Sequence, residues 1–161
     1  MDYLWTPWRY HYVTGAPAEP GACVFCQAAS ADDREVLIAH RATHNFLILN
    51  RFPYTSGHIM VVPYAHVATL EELAAPALAE MMSLTRDAVK HLRAIYRPDG
   101  LNLGMNLGRS AGAGIAGHIH MHVLPRWVGD TGFITTTGET RLVPEELETT
   151  RKKLVAAFAA G

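Results

Sequence analysis

Two cysteines among 161 residues are too few for a disulfide framework, and Cys23 and Cys26 stand only three apart. No stretch approaches the roughly 18 consecutive apolar residues of a membrane span. The opening Met1-Asp2-Tyr3-Leu4-Trp5-Thr6-Pro7-Trp8-Arg9 lacks the basic-then-apolar order of a secretory signal. Neither sign of charge dominates. Fourteen Lys plus Arg face fifteen Asp plus Glu, with no run of like charge, so a nucleic-acid footprint is not supported. No repeat or low-complexity linker divides the chain. These absences predict a cytoplasmic protein folding as a single domain over 1–161, with residues 1–30, rich in Pro and Gly, as an irregular arm. A chain of this length folds without a staple, so any metal site needs a reason of its own.

Short β-prone runs bounded by turn residues lie at 36–38, 46–49, 58–62, 101–106, 118–124 and 133–135. Two helices interrupt them. A Thr69-x-x-Glu72 capping box introduces the first, in which Leu78, Met81, Met82, Thr85, Val89 and Leu92 recur at spacings of three and four. The Met81-Met82 pair is expected in the core, and Arg97-Pro98-Asp99-Gly100 ends the helix. The second begins at Pro144 and places Leu147, Arg151, Leu154 and Phe158 on one face, with the charges from Glu145 to Lys153 solvated. Hairpin-like succession of strands favours an α+β fold, an antiparallel sheet of about five strands with helices packed on it, over a doubly wound parallel sheet.

Nine histidines are the compositional oddity, and His118-Ile119-His120-Met121-His122-Val123 is where they concentrate. In a strand these imidazoles share one face at about 6.6 Å intervals while the apolar residues face the core. The result is a row of neutral, nucleophilic, titratable groups. Histidines that merely sit on a half-exposed strand are the weaker reading, because three of them alternate strictly with apolar residues. A mononuclear metal enzyme is the competing reading, but no acidic ligand follows before Asp130.

Just upstream, Gly112, Gly114 and Gly117 spell G-x-G-x-x-G. The dinucleotide fingerprint must open a helix, whereas this one feeds a strand, so that reading is rejected. The glycines offer instead backbone amides that an anion can approach closely. Asn102, Gly104 and Asn106 share one face of their strand and could point at the same ligand. Cys23-Val24-Phe25-Cys26 reads as half a zinc site rather than a redox pair. No paired carboxylates sit near the triad, so the sequence indicates no Mg²⁺ site. Trp5, Trp8, Tyr10 and Tyr12 form an aromatic cluster suited to packing or a dimer seam, or to stacking on a second base.

The triad His118-x-His120-x-His122-x-Leu124-Pro125, the upstream Asn50-Arg51 and the segment Gly57-His58-x-x-Val61-Val62-Pro63 together resemble the histidine triad (HIT) superfamily of nucleotide hydrolases and transferases. Leu4-Trp5-Thr6-Pro7 and Pro125-Arg126-Trp127 look like a bacterial branch that includes diadenosine tetraphosphate phosphorylases. The resemblance implies a homodimer that binds a purine nucleotide or dinucleoside polyphosphate, while the charge balance and the lack of a long apolar run predict no nucleic acid or membrane partner. It makes His120 the nucleophile, flanked by His118 and His122, and implies nucleotide contacts from Asn50, His58, Asn106 and the loop amides of Gly112 and Gly114. It further implies a structural Zn²⁺ on Cys23, Cys26, His66 and His118. Relatives often carry Gly-Gln-Ser or Gly-Gln-Thr shortly before the triad, where this chain has Ala113, Gly114 and Ile115. Ser110 or Arg109 would then have to stand in.

The expected function is a nucleotidyl hydrolase or transferase cleaving dinucleoside polyphosphates through a nucleotidyl-histidine, with water or phosphate as acceptor. A nucleotide-binding scaffold with incidental catalysis and a zinc-dependent metalloenzyme are the alternatives.

Overall fold

The computed structural model describes residues 23–138 and 144–161; the arm aromatics Trp5, Trp8, Tyr10 and Tyr12 lie outside them. Five strands, β1 (Ile38–Arg41), β2 (Asn45–Leu49), β3 (Ile59–Pro63), β4 (Gly100–Gly104) and β5 (Met121–Arg126), form one sheet in the order β1-β2-β3-β5-β4. Every neighbouring pair is antiparallel. The fold is α+β, as the hairpin succession predicts.

Side-chain alternation sorts the sheet into two apolar layers. Leu47, Leu49, Ile59, Val61 and Val123 face the helices α3 (Ala75–Tyr96) and α5 (Leu147–Ala159), which bring Met81, Leu84, Ala88, Leu92 and Leu154 into the same cluster. Phe46, Ile48, Met60 and Val62 face the other way, against Phe25 and Ala28 of α1 (Val24–Ser30). The CxxC segment is therefore helical from Val24 onward, not irregular. Arg41 closes the C-terminal end of α1 by donating to the carbonyls of Ala29 (2.7 Å) and Ala31 (3.1 Å) while pairing with Asp33.

The remaining departures from the sequence pattern have local causes. Val36 ends a four-residue helix, α2 (Asp33–Val36), capped by the Asp32 carboxylate, and Leu37 in the left-handed region turns the chain into β1. Glu72 accepts from the N–H groups of Ala68 and Thr69, so the box at 69–72 closes a turn, and α3 starts later, at Ala75. Helix α3 ends where expected, with Arg97 left-handed ahead of Pro98. Met81 is core, but Met82 points outward and is half exposed. Residues 133–135 are helical, not strand: the Thr136 and Thr137 hydroxyls of α4 (Phe133–Thr137) donate back to the carbonyls of Gly132 and Phe133. The charges around α5 are not all solvated. Arg151 is buried, paired with Glu148, and Glu145 engages Tyr96, Thr150 and Lys153.

Candidate active site

The β2–β3 hairpin brings the first site histidine into place. Gly57 (φ 77°) packs so tightly that a Cβ there would lie 3.0 Å from Pro125 Cγ and 3.1 Å from the Tyr96 ring. Glycine thus lets the turn close onto β5. Asn50 steadies the same turn by accepting the Phe52 N–H at 2.9 Å. His58 emerges from it with Nε2 2.9 Å from Nδ1 of His122.

The triad itself straddles the start of a strand. His122 lies within β5, opposite Met60 and Gly104, while His118 and His120 precede the ladder. That lead-in is pinned by the Ile119 N–H donating to the Val67 carbonyl at 2.9 Å, and Ile119 and Val123 are buried in the helix-side core. The apolar partners therefore face the core as the alternation predicts, although regular strand begins three residues later than expected.

Hydrogen-bond partners assign the tautomers. His120 Nδ1 donates to the His118 carbonyl at 2.9 Å, which leaves Nε2 with a bare lone pair. His58 Nδ1 accepts from the Tyr54 N–H at 3.2 Å, with the Asn50 amide 3.3 Å away, so its proton sits on Nε2 and is donated to His122 Nδ1. His122 must then carry its own proton on Nε2. One imidazole thus offers a lone pair and its neighbour, 4.8 Å away between ring centroids, offers an N–H.

Burial holds these groups uncharged. It pushes His120 below the ordinary histidine range, lowers His122 to about 4 with help from the neighbouring His120, and lowers His58 to about 3 with help from His122 and His120. Two aromatic side chains pack against these imidazoles, and the sequence pattern assigned neither a place in the site. Phe25 packs 4.9 Å from His120 and 5.4 Å from His118 between centroids, and Tyr54 packs 4.8 Å from His58 and 6.3 Å from His122. The available signals were their positions, between the two cysteines and four residues before His58.

The glycine-rich segment opens no helix that could support a dinucleotide fingerprint. It makes a single 3₁₀ turn, Arg109–Ala111, and leads into β5. Gly112 caps that turn in the left-handed region and spends its N–H on the Arg109 carbonyl, so it has no amide left for an anion. Gly114 makes no such backbone bond among the described residues. Arg109 and Ser110, the candidate stand-ins for the missing Gln/Ser donor, are exposed on the turn. β4 does neighbour β5, with Gly104 opposite His122, and Asn106 follows the end of the strand, half-buried. Asn102 is occupied by Arg126, whose guanidinium is also paired with Asp130.

Beside the triad, Cys23, Cys26, His66 and His118 converge, each offering one donor atom, with all four atoms within 4.8 Å of one another. Cys23 Sγ and Cys26 Sγ lie 3.3 and 3.7 Å from His118 Nδ1, and Cys26 Sγ lies 3.3 Å from His66 Nδ1. Tetrahedral zinc with two sulfur and two nitrogen ligands needs donor separations of about 3.6 Å, so the set fits such an ion. His118 Nε2 donates to the Pro63 carbonyl at 2.9 Å, fixing the ring with Nδ1 toward the sulfurs. His120 and His122 are not in this set.

A sheet of this order, with a row of histidines leading into one strand and a fourth histidine 2.9 Å from the last of them, defines a histidine-triad class of protein. The HIT domain family model matches residues 34–128, and the chain belongs to the HIT family. It is 40% identical, over 99% of its length and 85% of the relative's, to a Mycobacterium tuberculosis protein named AP-4-A phosphorylase. Among solved structures it is similar to a zinc-bound histidine triad protein from Mycobacterium smegmatis, with 29% identity and TM-score 0.69, covering 86% of this chain and 94% of that one. It is also similar to a hypothetical histidine triad nucleotide-binding protein from Sulfolobus tokodaii, with 27% identity and TM-score 0.69 over 86% and 93% of the two chains.

Proposed function

We propose that this protein transfers nucleotidyl groups from dinucleoside polyphosphates through a covalent intermediate on His120. The observation that carries the reading is the pair of complementary tautomers: a buried Nε2 lone pair on His120 beside an Nε2–H on His122. In the first step His120 Nε2 attacks the α-phosphorus, a P–N bond forms, and the P–O bond to the leaving polyphosphate breaks. His122, backed by His58, donates to the departing or equatorial oxygens. In the second step an oxygen of water or phosphate displaces the imidazole.

Asn50, Asn106 and Gly114 are proposed to contact the nucleotide, as the family resemblance implies. With no hydroxyl or amide side chain at 113–115, the His122 N–H is the donor left near the leaving group, which suits an already acidic polyphosphate. Zinc on Cys23, Cys26, His66 and His118 would be structural, because four protein donors leave no open position for substrate. It would hold the His118 carbonyl to which His120 donates. The name of the 40% identical relative favours phosphate as acceptor.

The test is incubation with diadenosine tetraphosphate, with and without inorganic phosphate, followed by chromatography of the nucleotides. ADP plus ATP appearing only with phosphate identifies a phosphorylase; AMP plus ATP in both identifies a hydrolase. A His120→Ala protein is expected to lose turnover by about 10³-fold or more while keeping its fold by circular dichroism. Unchanged turnover in that variant would exclude the covalent mechanism. Binding without products in the wild type would support the scaffold reading.

A further inference from the structure

The site described so far accounts for one nucleotide, yet a large cavity opens beside it. Its volume is about 900 Å³, at the upper end for small-molecule pockets, and it wraps around the end of the sheet where β5 runs out. His122, Leu124 and Arg126 occupy alternate positions of β5 and so share a face, which leads from the triad to the cavity across about 13 Å. Tyr54 joins the two: its ring packs against His58 and His122 and also lines the cavity.

The wall chemistry selects the occupant. Tyr54, Tyr96, Trp127 and Phe133 are aromatic, and Phe133 is 81% exposed. The cations of the wall are already matched, Arg126 with Asp130 and Lys153 with Glu145. A free anion would have to displace those carboxylates. A flat, neutral, heteroaromatic ring would find stacking surfaces and charged groups at its edge without breaking either pair.

We propose that this cavity receives the second nucleoside of a dinucleoside polyphosphate, the one that departs with the leaving phosphates. The inference rests on the nucleotidyl-transfer reading and deepens it. It makes Phe133 and its neighbours specificity-determining residues, distinguishing substrates with a nucleoside at both ends from those with one.

The experiment compares diadenosine tetraphosphate with the p-nitrophenyl ester of AMP, which shares the transferred half and lacks the second nucleoside. Phe133→Ala is expected to raise KM for diadenosine tetraphosphate about tenfold with kcat little changed, and to leave the ester unaffected. Thr135→Trp, which fills the cavity from α4, is expected to do the same. Equal losses on both substrates, or no change on either in both variants, would overturn the proposal. If the wild type turns over neither substrate, the reaction assignment fails, and the cavity is tested by binding to the His120→Ala protein. There diadenosine tetraphosphate should bind more tightly than AMP, and Phe133→Ala should remove the advantage. Equal binding of the two, or an advantage that survives Phe133→Ala, would overturn it.

Discussion

His58 and His122 are ionisable groups folded in their uncharged forms, and acid must therefore weigh on the fold. Their values of about 3 and about 4 lie below the ordinary 6.5 of an unfolded histidine. Between these limits the unfolded chain binds protons that the native state refuses, so stability rises with pH and is lost as pH falls below about 6.5. Each such histidine contributes a slope of at most about 1.4 kcal/mol per pH unit, so the pair contributes at most about 3 kcal/mol per unit. Urea unfolding at pH 7, 6 and 5 should show a falling midpoint. An unchanged midpoint across that range would mean that the pair is not held neutral. At this scale the sequence was legible for His118, His120 and His122, because strict alternation is a local property. Phe25 and Tyr54 were not, because their contact with imidazoles is made by the tertiary fold alone. Gly112 was read as an open amide because G-x-G does not say which N–H the local turn consumes.

Among the elements, α1 has two duties that one short motif encodes. Its first residues bring Cys23 and Cys26 to His66 and His118, and Phe25 between them fills the layer beneath His120. Phe25→Ala should cost about 3–5 kcal/mol in urea unfolding, in keeping with loss of a buried aromatic. Cys26→Ala should abolish stoichiometric zinc by atomic absorption and lower the Tm, with turnover reduced but not eliminated. A loss as deep as that of His120→Ala would mean that the ion takes part in the chemistry. Four of the five strands and both long helices were legible from period two and from spacings of three and four, whereas the run expected at 36–38 is a helix end and a turn, with β1 following at Ile38–Arg41. The misread segments were short: Thr69-x-x-Glu72 has the spacing of a helix cap but closes a turn, and the β-branched run after Phe133 has no strand partner to pair with.

In the whole molecule, β4 is an outer strand, and Leu103 and Leu107 at its end are exposed. The homodimer that the family resemblance implies would gain from covering them. Light scattering should give twice the chain mass, and Leu103→Lys should shift the protein toward the monomer. The described residues contain no helix long and apolar enough to cross a membrane. One feature of the sheet also bears on which changes of chain length the protein can survive. From His118 to Arg126, one continuous run of residues holds a candidate metal donor, the lone pair, the N–H donor and the wall of the neighbouring cavity. A single inserted or deleted residue between His120 and His122 would flip one side of the break to the opposite face. An imidazole would enter the apolar layer under α3 as an aliphatic side chain left it. In this stretch, descendants of the gene can exchange residues but cannot change their number.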